Sequence, residues 1–71
     1  MERYKFFDQF SDDELREALE EYSETSNTQK GMMGKIVQLF VAKERFYNIG
    51  KVMMHIANEF SVRLKAAQDE V

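Results

Sequence analysis

Tyr47-Asn48-Ile49-Gly50-Lys51 is the stretch whose reading decides how this chain folds, because an apolar heptad runs straight through it. Met32, Leu39, Phe46, Met53, Phe60 and Ala67 recur every seven residues, with Ile36, Ala57 and Leu64 at companion positions. That spacing suits one long helix over 30–68 in a dimeric coiled coil. The remaining companion positions, however, hold Lys43 and Gly50, and a mid-helix glycine costs about 1 kcal/mol relative to alanine. Asn and Gly also adopt left-handed backbone most cheaply, so a helix end and a corner at Asn48 to Gly50 is the preferred reading. Folded there, an antiparallel hairpin sets Phe40 opposite Ala57, Val37 opposite Phe60 and Met33 opposite Leu64, large against small.

Both flanks of the corner carry helical periodicity. Upstream, from about Gly31, Met33, Ile36, Val37, Phe40 and Tyr47 share one face, and Lys35, Gln38 and Arg45 share another. Downstream, Met53, Ile56, Ala57, Phe60, Leu64 and Ala67 form an apolar stripe expected to face inward, which leaves Lys51, His55, Asn58 and Lys65 outward. No segment alternates long enough to be a strand.

A further helix begins at Phe10-Ser11-Asp12-Asp13-Glu14-Leu15. Ser11 can cap the amide of Glu14 while the Glu14 side chain reaches back to the amide of Ser11, and Phe10 with Leu15 occupy hydrophobic-staple positions. Leu15, Ala18, Leu19 and Tyr22 follow the spacing of a buried face, while Asp13, Glu17, Glu20 and Glu24 line the opposite one. The helix is expected to end near Ser23 or Glu24, because the polar run through Thr28 offers short side chains that compete for backbone hydrogen bonds. The expected fold is therefore all-α, a single domain of about three helices (approximately 11–24, 30–47 and 50–68). The aromatic segment Tyr4 to Phe10 packs across it, and its alternative role is an exposed anchor formed by Tyr4, Phe6 and Phe7.

At 71 residues the domain buries only about 60% of the surface its unfolded chain exposes, which makes self-association into a homo-oligomer an expectation. The four methionines Met32, Met33, Met53 and Met54 suit either core filling or an adaptable binding groove. With no cysteine there is neither a disulfide framework nor a thiolate metal site, so a reducing, cytoplasmic setting is expected. The longest apolar run, Leu39 to Ala42, is far shorter than a membrane span, and Met1 to Phe10 lacks a signal-peptide core.

Charge is segregated along the chain. Residues 1–29 carry nine acids and three bases, and residues 30–71 carry seven bases and four acids, for a net charge of −3. Such a division bears on partners, or on an acidic helix lying against basic ones. Catalytic readings fail on inventory. The one histidine, His55, lies on the expected outward face with Lys51 and Glu59 a turn away, too few ligands for zinc. No serine stands in a nucleophile elbow, and an exposed carboxylate row lacks the burial that separates two pKa values for acid–base work. Lys30-Gly31-Met32-Met33-Gly34-Lys35 has glycines and lysine at a helix start, where free amides can hold phosphate. Its glycine spacing and the following Ile36 are not those of a Walker loop, and the Gly-x-x-Gly shape it shares with KH domains there requires a sheet.

Ile56-Ala57-Asn58-Glu59-Phe60-Ser61-Val62-Arg63 resembles the Ile-Ala-x-Glu-Phe-x-Val stretch of helix-turn-helix DNA-binding domains, over eight residues. The resemblance implies a recognition helix beginning near Arg63. Ser61 stands where that motif usually has its turn glycine, and the reader would end in Asp69 and Glu70, acids set against phosphates. The expected function is accordingly that of a small acidic, non-catalytic protein, without metal or cofactor. It would bind another protein, as an inhibitor, antitoxin-like regulator or adaptor, by docking Asp13, Glu17, Glu20 and Glu24 on a basic surface. The helix-turn-helix regulator is the alternative.

Overall fold

The computed structural model describes residues 2–69, so Met1, the acid Glu70 and Val71 lie outside it. In chain order it contains a 3₁₀ turn at Lys5–Gln9, α1 at Asp12–Thr25, α2 at Gly31–Glu44 and α3 at Ile49–Asp69, a three-helix bundle with the aromatic segment laid against it.

The start of α1 is the capping box expected. The Ser11 hydroxyl accepts from the Glu14 amide at 3.1 Å, and the Glu14 carboxylate accepts from the Ser11 amide at 2.9 Å. Phe10 and Leu15 both enter the core. At the other end Ser26 takes left-handed backbone with φ of 54°, and the polar run supplies its own bonds. Thr25 Oγ1 donates to the Glu21 carbonyl, and Asn27 Oδ1 accepts from the amides of Gln29 and Lys30.

The corner before α3 forms earlier than expected and by different residues. α2 ends at Glu44, and Arg45, with φ of 70°, makes the left-handed turn. Asn48 instead caps α3, its side chain accepting from the Lys51 amide at 3.3 Å, and Gly50 is an ordinary residue of the first helical turn. Two contacts fix the corner there. Lys51 Nζ meets the Glu44 carboxylate at 2.8 Å, and Tyr47, placed by the sequence reading on α2, lies in the connection with its hydroxyl 2.8 Å from Thr28 Oγ1. The single long helix over 30–68 is thereby excluded.

The largest departure is the face that α3 turns inward. Val52, His55, Ile56 and Glu59 are buried and Arg63 is half-buried, whereas Ala57, Leu64 and Ala67 are exposed, Leu64 at 62%. The helix is rotated by one residue from the expected stripe, about 100°. The pairings of Phe40 with Ala57 and of Met33 with Leu64 are accordingly not made. His55 and Glu59, expected to be a solvated pair, are 6% and 2% exposed. The physical reason is an ion cluster in which Arg3 and Arg63 both pair with Glu59. The core it joins is formed by Phe7, Phe10, Leu15, Ala18, Met33, Ile36, Val37, Phe40, Val52 and Ile56.

Candidate functional site

The seven carboxylates of α1 divide into two sets. Three serve the fold: Asp12 meets Arg63 at 2.7 Å, Glu14 completes the capping box, and Glu21 reaches the start of α2, where it accepts from the Met32 amide at 3.0 Å. Four are exposed: Asp13, Glu17, Glu20 and Glu24. Asp13 lies 3.7 Å from Arg16 of its own helix, and among the described residues Glu17, Glu20 and Glu24 form no ion pair. At offsets of 4, 7 and 11 residues from Asp13, they make a line about 16 Å long down one face.

The Glu21 carboxylate occupies the helix start that the glycine-lysine stretch raised as a phosphate site. Gly31 has φ of 66°, and a Cβ there would run into Glu21, so glycine is what lets the carboxylate come so close. Gly34 is needed for a different reason, since a Cβ would lie 2.7 Å from the Gln29 carbonyl carbon. An internal carboxylate therefore already occupies the Met32 amide at this helix start.

The aromatic segment is divided as well. Phe7 is wholly buried and its ring belongs to the core, whereas Tyr4 and Phe6 are half-buried. Tyr4 stacks on Phe6 with centroids 5.0 Å apart, and its ring meets the edge of Phe40 at 5.1 Å and His55 at 4.9 Å. Tyr4 and Phe6, with Leu39, Ala42 and Lys43, line an open groove of about 740 Å³.

Beneath the aromatics lies a cluster that sequence reasoning missed. Glu59 accepts from Arg3 Nε at 2.8 Å, from a second Arg3 nitrogen at 2.9 Å and from Arg63 Nε at 2.8 Å. Arg63 also donates to the backbone carbonyls of Phe7 and Phe10, and Arg3 to Asp8. Burial opposes ionisation of Glu59, yet the hydrogen bonds from Arg3 and then Arg63 prevail and hold its carboxyl below the usual value. The bonds Arg3 donates to Glu59 and to Asp8 raise its pKa. Burial works to lower the Arg63 pKa, but the bonds it donates to Asp12 and Glu59 together prevail and raise it. Burial, reinforced by the nearby charge of Lys51, lowers the His55 pKa and favours the neutral imidazole, whose Nδ1 has no hydrogen-bond partner among the described residues. The signal available in the sequence was the Glu59 to Arg63 spacing of four residues, read together with Val52, His55 and Ile56 on the same face.

Among the described residues no group of three His, Asp or Glu side chains could hold a metal ion. The stretch that resembles a helix-turn-helix lies inside the continuous helix α3, so its turn at Ser61 is missing, and Arg63 faces the molecule's own acids and carbonyls. No family model, curated protein or solved structure matches the chain. Among the described residues no helix is long and apolar enough to cross a membrane.

Proposed function

We propose that this chain is a non-catalytic binding protein that sets the acidic row of α1 on a basic surface of another protein. In this reading it serves as an inhibitor, antitoxin-like regulator or adaptor in a reducing cytoplasm, and it works as a homo-oligomer. The observation that carries the reading is the division of the α1 carboxylates. Asp12, Glu14 and Glu21 hold the fold, while Asp13, Glu17, Glu20 and Glu24 have no base from the neighbouring helices to neutralise them. A line of like charge one helical turn apart costs the free protein self-repulsion and gains most when it meets positive charge, which also speeds association. The half-buried Tyr4 and Phe6 supply aromatic area at the groove, the kind of surface on which interface energy concentrates.

The test is charge reversal. The quadruple variant Asp13→Lys, Glu17→Lys, Glu20→Lys and Glu24→Lys should retain its helical circular dichroism, because all four positions are exposed. Immobilised wild-type chain should retain a basic protein from host extract, release it at high salt, and bind poly-lysine; the variant should do neither. Equal retention by a folded quadruple variant would place binding elsewhere.

A further inference from the structure

We propose that two copies of this chain pair through the outward face of α3, antiparallel, with Ala57 of each copy seated against Phe60 of the other. The inference rests on the self-association proposed above and gives it a surface. Because α3 is turned by one residue from its expected face, Gly50, Ala57, Leu64 and Ala67 of the stripe are left outside, and Met53 and Phe60 lie at its edge with the core. Met53 and Phe60 are only half-covered by the bundle, and Leu64 is 62% exposed. The adjoining positions, Met54, Ser61 and Gln68, are also exposed and also uncharged, and Met54 is 58% exposed. An arc of about 140° along α3 thus has no charge on it, in a chain in which 32% of residues are charged. Depletion of charge around exposed Leu64 and Met54 and half-buried Met53 and Phe60 is the composition of an interface centre, not of a solvated helix face.

The occupant follows from the pattern of sizes. In an antiparallel pair each layer matches one heptad position with the other. Centred between Ala57 and Phe60, that register sets Ala57 against Phe60, Met53 against Leu64 and Gly50 against Ala67, and each layer occurs twice by symmetry. The central layers then set each Phe against an alanine, Met53 and Leu64 meet as side chains of similar size, and no charge enters any layer. A parallel pair would put Phe60 on Phe60 and Gly50 on Gly50, one layer overfilled and one hollow. The end of α3 supplies an independent reason. Residues 64–69 are exposed at every position, so these last turns project past the bundle, and a helix end without packing is marginal in water. In the antiparallel register the start of α3 from the second copy covers that projection.

Sedimentation equilibrium of the full chain should give twice the 8.4 kDa chain mass at micromolar concentration. Ala57→Glu should weaken the dimer roughly a hundredfold or more while circular dichroism is kept, because its carboxylate would be buried against Phe60 of the second copy. Under mild oxidation the double variant Gly50→Cys with Ala67→Cys should yield a dimer whose disulfide joins position 50 to position 67, since within one α3 these lie about 25 Å apart. A single-chain mass at all concentrations would overturn the self-association and this surface with it. A dimer indifferent to Ala57→Glu, disulfides joining 67 to 67, or a monomer that binds anionic phosphatidylserine vesicles through this strip would each overturn the proposed pairing alone.

Discussion

Arg3 and Glu59, 56 residues apart in sequence, meet through two guanidinium nitrogens at 2.8 and 2.9 Å, so the start of the chain is fastened to the middle of its last helix. Arg63 completes the carboxylate's environment from the following turn of α3. The pair explains why α3 faces the way it does. A nearly fully buried carboxylate is tolerated only when charge and hydrogen bonds replace the water it gives up.

Glu59→Ala should therefore destabilise the chain by about 2 to 3 kcal/mol, since it leaves two arginines around an emptied site. Arg3→Ala should cost less, about 1 kcal/mol, because Arg63 still serves Glu59 and Arg3 itself is partly exposed. Urea denaturation of the two variants, compared with wild type, gives the order directly.

Acid should weaken the fold in two stages. The His55 pKa lies below its ordinary 6.5, so between the two values the unfolded chain binds more protons. Stability is full above 6.5 and falls as pH drops through that window. His55→Phe, which can keep the contacts with Tyr4 and Phe40, should flatten this first stage. Glu59, held below its ordinary 4.5, contributes stability that is full above 4.5 and is lost as pH falls through its lowered value. Denaturant midpoints measured from pH 8 to 3 in wild type, His55→Phe and Glu59→Gln separate the stages.

At the α1–α2 junction, Glu21→Ala should cost about 1 kcal/mol through loss of the bond to the Met32 amide and of negative charge at a helix start. Gly31→Ala should cost more, because it adds a collision with Glu21 to a left-handed penalty of about 1 to 2 kcal/mol. In a Glu21→Ala background the collision disappears and only the backbone penalty remains. A double-mutant cycle should thus show Gly31→Ala costing less in that background than in wild type.

Ser11→Ala together with Glu14→Ala removes both halves of the capping box and should destabilise α1 by about 1 to 2 kcal/mol. Thermal melts should move down accordingly, and an unchanged melting temperature would contradict the cap.

What could be read from sequence was what neighbouring residues decide among themselves. The Ser11–Glu14 box, the inward Leu15 and Ala18, and the outward row from Asp13 to Glu24 depend on contacts within one or two turns, and periodicity expresses them. The corner was misplaced because Arg45 takes a left-handed conformation that its side chain does not advertise. Glu44 with Lys51 and Thr28 with Tyr47 hold the corner there across the turn. The face of α3 was misread because hydrophobic periodicity weighs each side chain alone. It scores Glu59 and Arg63 as polar, whereas with Arg3 they behave as one largely neutralised unit that packs beside Val52 and Ile56.

The burial of Glu59 also governs the order in which the chain can assemble. A partly folded state with α3 docked but the N-terminal segment still loose would leave Glu59 with Arg63 alone and the core without Phe7 and Phe10. A state with the segment docked first would lack its anchor on α3, and closing 56 residues of chain carries its own entropic cost. Both half-formed states are therefore disfavoured, and the first and last segments of the chain gain their stability in the same step. A carboxylate in the core thus acts as a source of cooperativity: amide exchange in α3 near Glu59 should proceed only through openings that also release the 3₁₀ turn at Lys5–Gln9.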